Sequence, residues 1–557
     1  MNELVDVIKK AVLELYKTDV DPELSVPDEQ FGDYATNVAL ILAKKLNKSP
    51  RDIAQEITDC LNENEDSGAM LSVAGPGFIN IQLKNSIIVK QLNKGIHKSK
   101  SYEGKVVVCE FSDPNPFKVL HVGHLYTSIV GDSISRLISA AGGEVHRVNF
   151  GGDVGLHVAK SMWSIIKKFD GELPEKLSTI SESEHSDWLA SCYVEGNSAY
   201  DEDTEAKIEI TDINKRIYKI ITDNDHESPL AQIYWTCRQW SYDYFDSFYE
   251  RIGVKFEKYY PESEGAKTGL PIVLQQLEKG IFKKSNGAIV FEGEPHGLHT
   301  RVFVNSEGVP TYETKDLGAN FQKWADYKFD QSIIMTDNSQ TEYLKVVLKS
   351  IEQFEPKISK RTTHLTHGIV KLAGGVKMSS RLGNFLKATD AIEITEQALK
   401  NEQAEVDQKL VMGAIKDAFL KNNLGPDIVF EPEKSVSLHG NSGPYLQYAG
   451  ARAKSILRKI PSKTTSFGGV ELDENERKLA IKLLRYGEVV EQSTHDLAPH
   501  QICTYLYELA VTFNRFYEVS KVSGDPRQDL RQGLVDRYIK TLDAGLELLG
   551  IPLVEKM

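Results

Sequence analysis

The apolar positions of this chain repeat with different periods along its length, and the changes of period predict separate domains. Leu4, Ile8, Val12 and Leu15 are spaced so that they lie near one face of an amphipathic helix at the start of the chain. Residues 78–83 instead alternate apolar and polar side chains, which is typical of a half-buried strand. We therefore predict a small α/β domain over residues 1–100.

A second pattern begins at Val106, where the continuous apolar run VVVCEF indicates a parallel strand that is buried on both faces. A helix beginning at the motif His-Val-Gly-His (residues 121–124) and a second apolar strand at residues 145–150 follow. Strand, helix and strand in this order predict a right-handed crossover in a parallel sheet, whose ligands bind beyond the carboxyl ends of the strands. We predict a Rossmann-like parallel-sheet catalytic domain over residues 101–405.

Two further regions depart from that pattern. Acidic, serine-rich segments and then an aromatic cluster predict a connective insertion at about residues 161–290. After residue 405 the pattern is helical, so we predict an all-helical C-terminal domain over residues 406–557. The predicted fold class is α/β, with this helical domain and the small N-terminal α/β domain attached to the parallel sheet.

Composition limits the functional classes. The chain has 557 residues, with 66 Lys and Arg against 80 Asp and Glu, so its net charge is −14. This excludes a basic nucleic-acid footprint over the whole chain but allows a local basic patch. The five cysteines form no CxxC pair, so we expect no disulfide scaffold and no structural zinc. No apolar run approaches 18 residues and no signal-peptide pattern is present, so we expect no membrane span and a cytoplasmic location.

Two short motifs carry candidate chemistry. His121 and His124 lie on one face at the start of a helix, where two imidazoles and the helix dipole suit a polyphosphate better than a metal, because no further zinc ligand is suitably spaced. Gly123 between them leaves room for a flat base. The segment Lys377-Met378-Ser379-Ser380 would suit a loop that closes on pyrophosphate, although a flexible surface loop is the alternative.

A strand–HxGH–helix unit followed about 250 residues later by KMSS resembles the class I aminoacyl-tRNA synthetases, with their HIGH and KMSKS signatures. Further segments resemble the arginyl-tRNA synthetase family over essentially the whole chain. These segments are FGDYATN (31–37), GPGFIN (75–80), EFSDPN (110–115), YETKD (312–316), GPYLQYAGAR (443–452) and FNRFYE (513–518).

The resemblance implies an arginine–tRNA ligase that uses ATP and L-arginine, with Mg²⁺ accompanying ATP. It implies that Asp316 and Tyr312 hold the guanidinium, which suits a planar group with five donors. Lys118 and Lys377 would offset charge on the triphosphate, while His121 and His124 stabilise the phosphates. The implied arginine pocket comprises Glu110, Asp113, Asn115, His124, Tyr312, Asp316 and Gln340. The implied ATP site comprises His121, Gly123, His124, Lys377, Met378, Ser379 and Ser380.

The partner implied by the resemblance is tRNA(Arg), bound by a monomer. The implied contacts are Asn441, Tyr445, Tyr448 and Arg452 in the helical domain and Phe31 and Asn37 in the N-terminal domain. Packing is the alternative role for the two tyrosines, and folding is the alternative for Phe31 and Asn37. Two other functions stay open: a class I synthetase for another amino acid and a non-catalytic tRNA-binding paralogue.

The chain also departs from the family pattern at several positions. Asp113 stands where the family usually has Ser, Val119 where it has Pro, and Lys315 where it has Arg. The family segment GDWGTQ is GDVGLH at residues 152–157. These departures bear on the detailed geometry of the pocket, while every proposed chemical group is retained.

Overall fold

A computed structural model describes residues 2–64, 68–96, 98–373, 386–402, 406–460, 467 and 471–555. The N-terminal part packs helices on a four-stranded antiparallel sheet of order β1-β2-β4-β3. Of the residues predicted to share a face of the first helix, Ile8 and Val12 are fully buried in its core and Leu4 packs against it, whereas Leu15, near the end of the helix, is exposed. Its elements are α1 (Asn2–Tyr16), β1 (Leu24–Ser25), β2 (Tyr34–Thr36), α2 (Val38–Leu46), α3 (Pro50–Glu63), β3 (Ala69–Ala74), β4 (Phe78–Leu83) and α4 (Asn85–Asn93).

The central part contains a five-stranded, all-parallel sheet of order β12-β11-β5-β6-β7, which confirms the predicted Rossmann-like sheet. Its strands are β5 (Val106–Glu110), β6 (Glu144–Gly151), β7 (Lys258–Pro261), β11 (Gln331–Asp337) and β12 (Thr362–His367). Helix α5 (Val122–Ala140) connects β5 to β6. The strand order reverses between β5 and β11, and parallel sheets bind ligands at the carboxyl edge of such a crevice.

The remaining central elements cover this sheet or form small units beside it. Strands β8 to β10 make an antiparallel sheet of order β10-β9-β8, and α10 packs closely against α11. These elements are α6 (Leu156–Phe169), α7 (His185–Glu202), α8 (Thr204–Asp223), α9 (Pro229–Ile252), α10 (Glu262–Glu278), β8 (Lys283–Ser285), β9 (Ala288–Phe291), β10 (Arg301–Val304), α11 (Tyr312–Tyr327), α12 (Thr341–Glu352), α13 (Pro356–Arg361) and β13 (Val370–Leu372).

The C-terminal part is a helical bundle with one short strand, β14 (Ile428–Phe430), which pairs in parallel with β13. This strand lies within the range predicted to be helical throughout; it follows Gly425 and Pro426, which interrupt a helix. The helices are α14 (Ala388–Glu402), α15 (Gln408–Leu420), α16 (Pro432–Ser435), α17 (Gly443–Arg458), α18 (Glu474–Leu484), α19 (Tyr486–His495), α20 (His500–Val519) and α21 (Gln528–Leu548).

The hydrophobic core is continuous between the parallel sheet and the C-terminal bundle. Buried residues of β5 and α5 belong to the same apolar cluster as those of α14, α15 and α21. Helices α6 to α9 surround a separate core, whereas β7 lies in the main sheet although its residues fall inside the range predicted as an insertion. No helix in the described parts of the chain is long and apolar enough to cross a membrane.

Candidate active site

The two histidines of the HVGH motif cap the N-terminus of α5. Nδ1 of His121 accepts a hydrogen bond from the backbone N–H of Gly123 at 3.1 Å, and Nδ1 of His124 accepts one from the N–H of His121 at 3.1 Å. Burial lowers the pKa of His121 to about 4 and that of His124 well below its usual value. Both rings are therefore neutral at pH 7, and since Nδ1 accepts, each carries its proton on Nε2.

This arrangement also explains the glycine of the motif. The two imidazole rings stack with their centroids 3.8 Å apart. A Cβ at residue 123 would lie 2.8 Å from Cε1 of His121, so Gly123 makes room for the neighbouring ring. The motif thus holds two neutral N–H donors at the positive end of a helix dipole, which suits a bound phosphate.

The loop after β5 is bonded to the end of β6 by two side chains. Oδ1 of Asp113 accepts from the N–H of Phe150 at 2.8 Å, and Oδ1 of Asn115 accepts from the N–H of Gly152 at 3.1 Å. Asp113 has a φ of 49°, in the left-handed region, which side-chain bonds of this kind help to maintain. These contacts place the EFSDPN segment at the carboxyl edge of the sheet.

Four carboxylates of this loop and the adjoining elements are close enough to interact electrostatically, and two lysines of α11 pair with two of them. Nζ of Lys323 lies 2.6 Å from Oε2 of Glu110, and Nζ of Lys315 lies 2.8 Å from Oε2 of Glu262. Asp113 and Asp316 complete the set. Because all four acids and both lysines are largely buried, the interactions among their charges are strong.

Asp316 has a neutral hydrogen-bond partner instead of a cation. The hydroxyl of Tyr343, on α12, donates to Oδ2 of Asp316. Burial, reinforced by the negative charge of Glu110, raises the pKa of Asp316 to about 8 despite this bond. Burial and Glu110 likewise raise the pKa of Asp113 well above its usual value. Both acids would therefore gain a favourable interaction from a cationic ligand.

Two other predicted arginine contacts, Tyr312 and Gln340, lie in different places relative to these acids. Tyr312 opens α11 one turn before Asp316, as the predicted helical spacing requires, and its side chain is 54% exposed. Gln340 follows the carboxyl end of β11 and is exposed, with its amide 3.4 Å from Oγ of Ser339. Tyr312 thus lies at the rim of the acidic group, and Gln340 at the surface beyond a neighbouring strand.

Lys118 extends from the loop towards the helices that follow α6. Its ammonium lies 4.3 Å from the ring centroid of Tyr193 on α7. The second signature, Lys377, Met378, Ser379 and Ser380, lies outside the described residues. The chain just beyond it is bonded to the first signature: the N–H of Val122 donates to the carbonyl of Leu386, and the N–H of Ala388 donates to that of Leu120, both at 2.9 Å.

The predicted tRNA contacts fall on two surfaces. On the helical bundle, Tyr448 is 41% exposed and the guanidinium of Arg452 lies 5.2 Å from the ring centroid of Tyr517. Arg452 and Tyr517 line a groove of about 610 Å³ with Lys459 and Lys521. The hydroxyl of Tyr445 accepts a bond from Asn514 at 2.9 Å, while Asn441 is exposed. On the N-terminal domain, Phe31 is exposed and Asn37 is half-buried before α2.

Three residues in or next to the acidic group were not predicted from the sequence: the acid Glu262, and Lys323 and Tyr343, which bond to Glu110 and Asp316. Lys323 lies seven residues after Asp316, and this spacing puts both on the same face of α11. This spacing was the only feature of the sequence that pointed to Lys323, because its partner Glu110 lies 213 positions away. Within the described ranges, no group of three or more His, Cys, Asp or Glu side chains could hold a metal ion.

The parallel sheet, the HxGH helix at its carboxyl edge and the helical C-terminal bundle together define a class I aminoacyl-tRNA synthetase. Comparison with sequence families shows to which family of class I synthetases the chain belongs. The family described as "tRNA synthetases class I (R), catalytic domain" matches residues 85–431, "Arginyl tRNA synthetase N terminal domain" residues 2–83, and "DALR anticodon binding domain" residues 446–557. The chain belongs to the arginyl-tRNA synthetase family.

Individual relatives match this chain over nearly all of its length. The arginine–tRNA ligase of Rippkaea orientalis is 33% identical over 585 residues, covering 97% of this chain and 96% of that protein. The arginine–tRNA ligase of Porphyromonas gingivalis is 29% identical over 603 residues, covering all of both. Among solved structures, the arginyl-tRNA synthetase of Thermus thermophilus has the same fold, with a TM-score of 0.81 and 23% identity over all of both chains.

Proposed function

We propose that this chain is an arginine–tRNA ligase, which activates L-arginine with ATP and transfers it to the 3′ end of tRNA(Arg). The observation that carries this proposal is a buried group of four carboxylates at the sheet edge where two histidines cap α5, in a chain of the arginyl-tRNA synthetase family. The pocket accounts for a cationic amino acid, and the helix start accounts for ATP.

The reaction needs positioning and charge stabilisation more than covalent protein chemistry. The arginine carboxylate attacks the α-phosphate of ATP, and pyrophosphate leaves. A ribose hydroxyl at the tRNA 3′ end then attacks the arginyl carbonyl, and AMP leaves. Nε2–H of His121 and Nε2–H of His124 donate to phosphate oxygens in this scheme, and Lys118 offsets their negative charge. Lys377 of the second signature would act with Lys118 on the leaving pyrophosphate.

The arginine pocket is proposed to use opposite ends of the acidic group. Asp316 and the nearby Tyr312 bind the guanidinium, because an acid and a phenol at adjacent turns of α11 can accept several of its hydrogens. Asp113 and Asn115 face the α-ammonium end, and Glu110 lines the pocket. His124 and Gln340 are proposed to contact the amino acid from the sides of the ATP site and of β11.

ATP is proposed to lie over the start of α5, against His121, Gly123 and His124. The second signature would close on the phosphates with Lys377, Met378, Ser379 and Ser380. Mg²⁺ would accompany ATP, held mainly by phosphate oxygens and water, because Mg²⁺ keeps several of its waters and binds substrate phosphates rather than a dedicated protein cage.

tRNA is proposed to contact both ends of the chain. Tyr445, Tyr448, Arg452 and Asn441 would meet the anticodon region, because exposed rings can stack on unpaired bases and cations offset phosphate. Phe31 and Asn37 would meet another part of the tRNA. We further propose domain limits near residues 100 and 405, with an insertion from about residue 161 that ends before β7, and a monomer that acts in the cytoplasm.

Arginine-dependent exchange between ATP and pyrophosphate tests this function, with and without tRNA(Arg) and against a panel of other amino acids. Exchange with arginine alone is the expected result. Exchange with a different amino acid would identify another class I synthetase. No exchange from folded protein, even with tRNA(Arg), would indicate the non-catalytic tRNA-binding paralogue.

A further inference from the structure

Helix α11 carries two buried lysines that pair with acids of the proposed arginine pocket. The side chain of Lys323 is fully buried and that of Lys315 is 4% exposed, and each is paired with a carboxylate at 2.6 and 2.8 Å. A buried charge without a partner is costly, so each lysine and its acid form a unit of zero net charge. Glu110 and Glu262 are thereby neutralised within the protein.

The two remaining acids are not neutralised in this way. Asp113 accepts from the N–H of Phe150, and Asp316 accepts from the hydroxyl of Tyr343, so their hydrogen-bond donors are uncharged. Among the residues that the structure describes, neither has a lysine or arginine within 4 Å. The pocket therefore has two carboxylates to offer, and free arginine has two positive charges, the guanidinium and the α-ammonium.

We propose that Lys323 is a positioning residue for arginine: by neutralising Glu110, it leaves Asp113 and Asp316 as the only two acids of the group that pair with the amino acid. The inference rests on the proposed function. It assigns Glu110 an indirect role, in place of direct contact with the substrate. Without Lys323, Glu110 would be a third acid competing for either positive end of arginine and would draw the amino acid away from the reacting position.

Opposite effects of two single substitutions test this assignment. Glu110→Gln leaves the positive charge of Lys323 unmatched in the pocket, so KM for arginine rises about tenfold or more. Lys323→Met leaves the charge of Glu110, so arginine still binds, but out of position, and kcat falls about tenfold or more while KM for arginine does not rise. In both variants KM for ATP stays within about threefold of wild type.

The double variant Glu110→Gln/Lys323→Met decides between an indirect and a direct role for Glu110. Removing both charges restores the balance, so both constants return to within about threefold of wild type. If Glu110 instead contacts arginine directly, the double variant stays at least as impaired as Glu110→Gln. Lys323→Arg, which keeps the charge, recovers most of the activity lost in Lys323→Met. Lys328→Met is the matched control, because Lys328 ends the same helix but is exposed.

The measurement is arginine-dependent ATP–pyrophosphate exchange by the full chain with tRNA(Arg), with thermal unfolding of each variant recorded in parallel. A double variant that stays impaired, or that does not fold, overturns the role of Lys323. Loss of activity in Lys328→Met equal to that in Lys323→Met overturns it too. Wild-type protein that shows no arginine-dependent exchange overturns the proposed function itself, so the two failures are distinguishable.

Discussion

Each histidine of the HVGH motif divides its two ring nitrogens between two tasks. Nδ1 accepts a backbone hydrogen bond at the start of the helix, and Nε2–H is proposed to donate to a phosphate of the ligand, so we expect a substitution to affect stability and rate by different amounts. We expect His124→Ala to slow arginine-dependent exchange about 100-fold, the usual effect of losing one transition-state donor. Its cost in unfolding free energy should be only about 1 kcal/mol, as for a lost helix cap.

Exchange kinetics and urea unfolding of the same protein separate these two effects. His124→Gln is the matched variant, because its amide N–H can reach the position of Nε2 and should recover part of the rate. A rate unchanged in His124→Ala would contradict the assignment of this donor. Burial lowers the pKa of His121 to about 4 and that of His124 well below its usual value, so the wild-type rate between pH 6 and pH 8 should show no ionisation of these two histidines.

Because Asp316 is proposed to bind the guanidinium, we expect its raised pKa to couple arginine binding to proton release. With a pKa of about 8, Asp316 is mostly protonated at pH 7. A bound guanidinium favours the carboxylate and expels the proton, so affinity for arginine should rise as the pH increases towards 8 and level off above it. Calorimetry at pH 7 in buffers of different ionisation enthalpy should detect this release. Asp316→Asn should release fewer protons and lose arginine affinity far more than ATP affinity; unchanged proton release would refute the assignment.

At the residue scale, the motifs identified three of the four acids but neither Glu262 nor Lys323, the lysine that pairs with Glu110. Glu110, Asp113 and Asp316 belong to segments that resemble family motifs. Lys323 lies in no such motif, and a lysine in a helical pattern is ordinarily exposed. Its role depends on a contact with Glu110, far away in the sequence, which only the packing of α11 against β5 creates.

Among the secondary-structure elements, α10 and α11 make an unusually close contact built on glycine. A Cβ at Gly269 would lie 2.1 Å from the carbonyl oxygen of Thr314, and one at Gly318 would lie 1.9 Å from that of Gly265. The backbones of the two helices can approach this closely only without side chains. Because α11 carries Asp316 and Lys323, this contact determines where both of these residues lie.

We expect Gly269→Ala to force the two helices apart and to displace α11. Overpacking of this kind costs about 1–3 kcal/mol, and the displaced acids should raise KM for arginine more than KM for ATP. Thermal unfolding and exchange kinetics give the two results. Lys267→Ala, on the exposed side of α10, is the control and should leave both unchanged. Equal KM changes for both substrates would show that α11 does not move independently of the ATP site.

The sequence predicted elements well where a long periodic pattern existed and poorly where pairing decided the outcome. The β5–α5–β6 crossover was predicted, because β5 is a continuous apolar run and a long helix separates it from a second extended segment with apolar residues at positions 145, 148 and 150. By contrast, β7 is the four-residue segment KYYP, which has no strand pattern of its own and becomes a strand by pairing with β6. Strand β14 likewise depends on β13, 56 residues earlier at its nearest end (370 to 372 against 428 to 430). Tertiary pairing of this kind is not encoded in local periodicity.

For the molecule as a whole, α5 joins the proposed active site to the C-terminal bundle. The HVGH motif lies at its first turn, and its second half contacts the end of α21: Oγ of Ser133 donates to the carbonyl of Leu548 at 3.0 Å. Nζ of Lys416 donates to the carbonyl of Gly550 at 2.7 Å. Since the hydrophobic core is continuous through this junction, a change at the C-terminal turn should reach the start of α5.

Gly550 offers a direct test of this connection. It has a φ of +64°, and a Cβ there would lie 2.9 Å from Oδ2 of Asp132 on α5. Gly280 is the matched control, with a φ of +79° and no atom within 4 Å of its Cβ position. Ala at either position costs about 1 kcal/mol for the left-handed backbone, so the excess loss of stability in Gly550→Ala measures the contact with α5. If α5 transmits the strain, Gly550→Ala also slows arginine-dependent exchange, whereas Gly280→Ala does not. A stability loss without a rate change would show that the junction holds the bundle in place but leaves the histidines undisturbed.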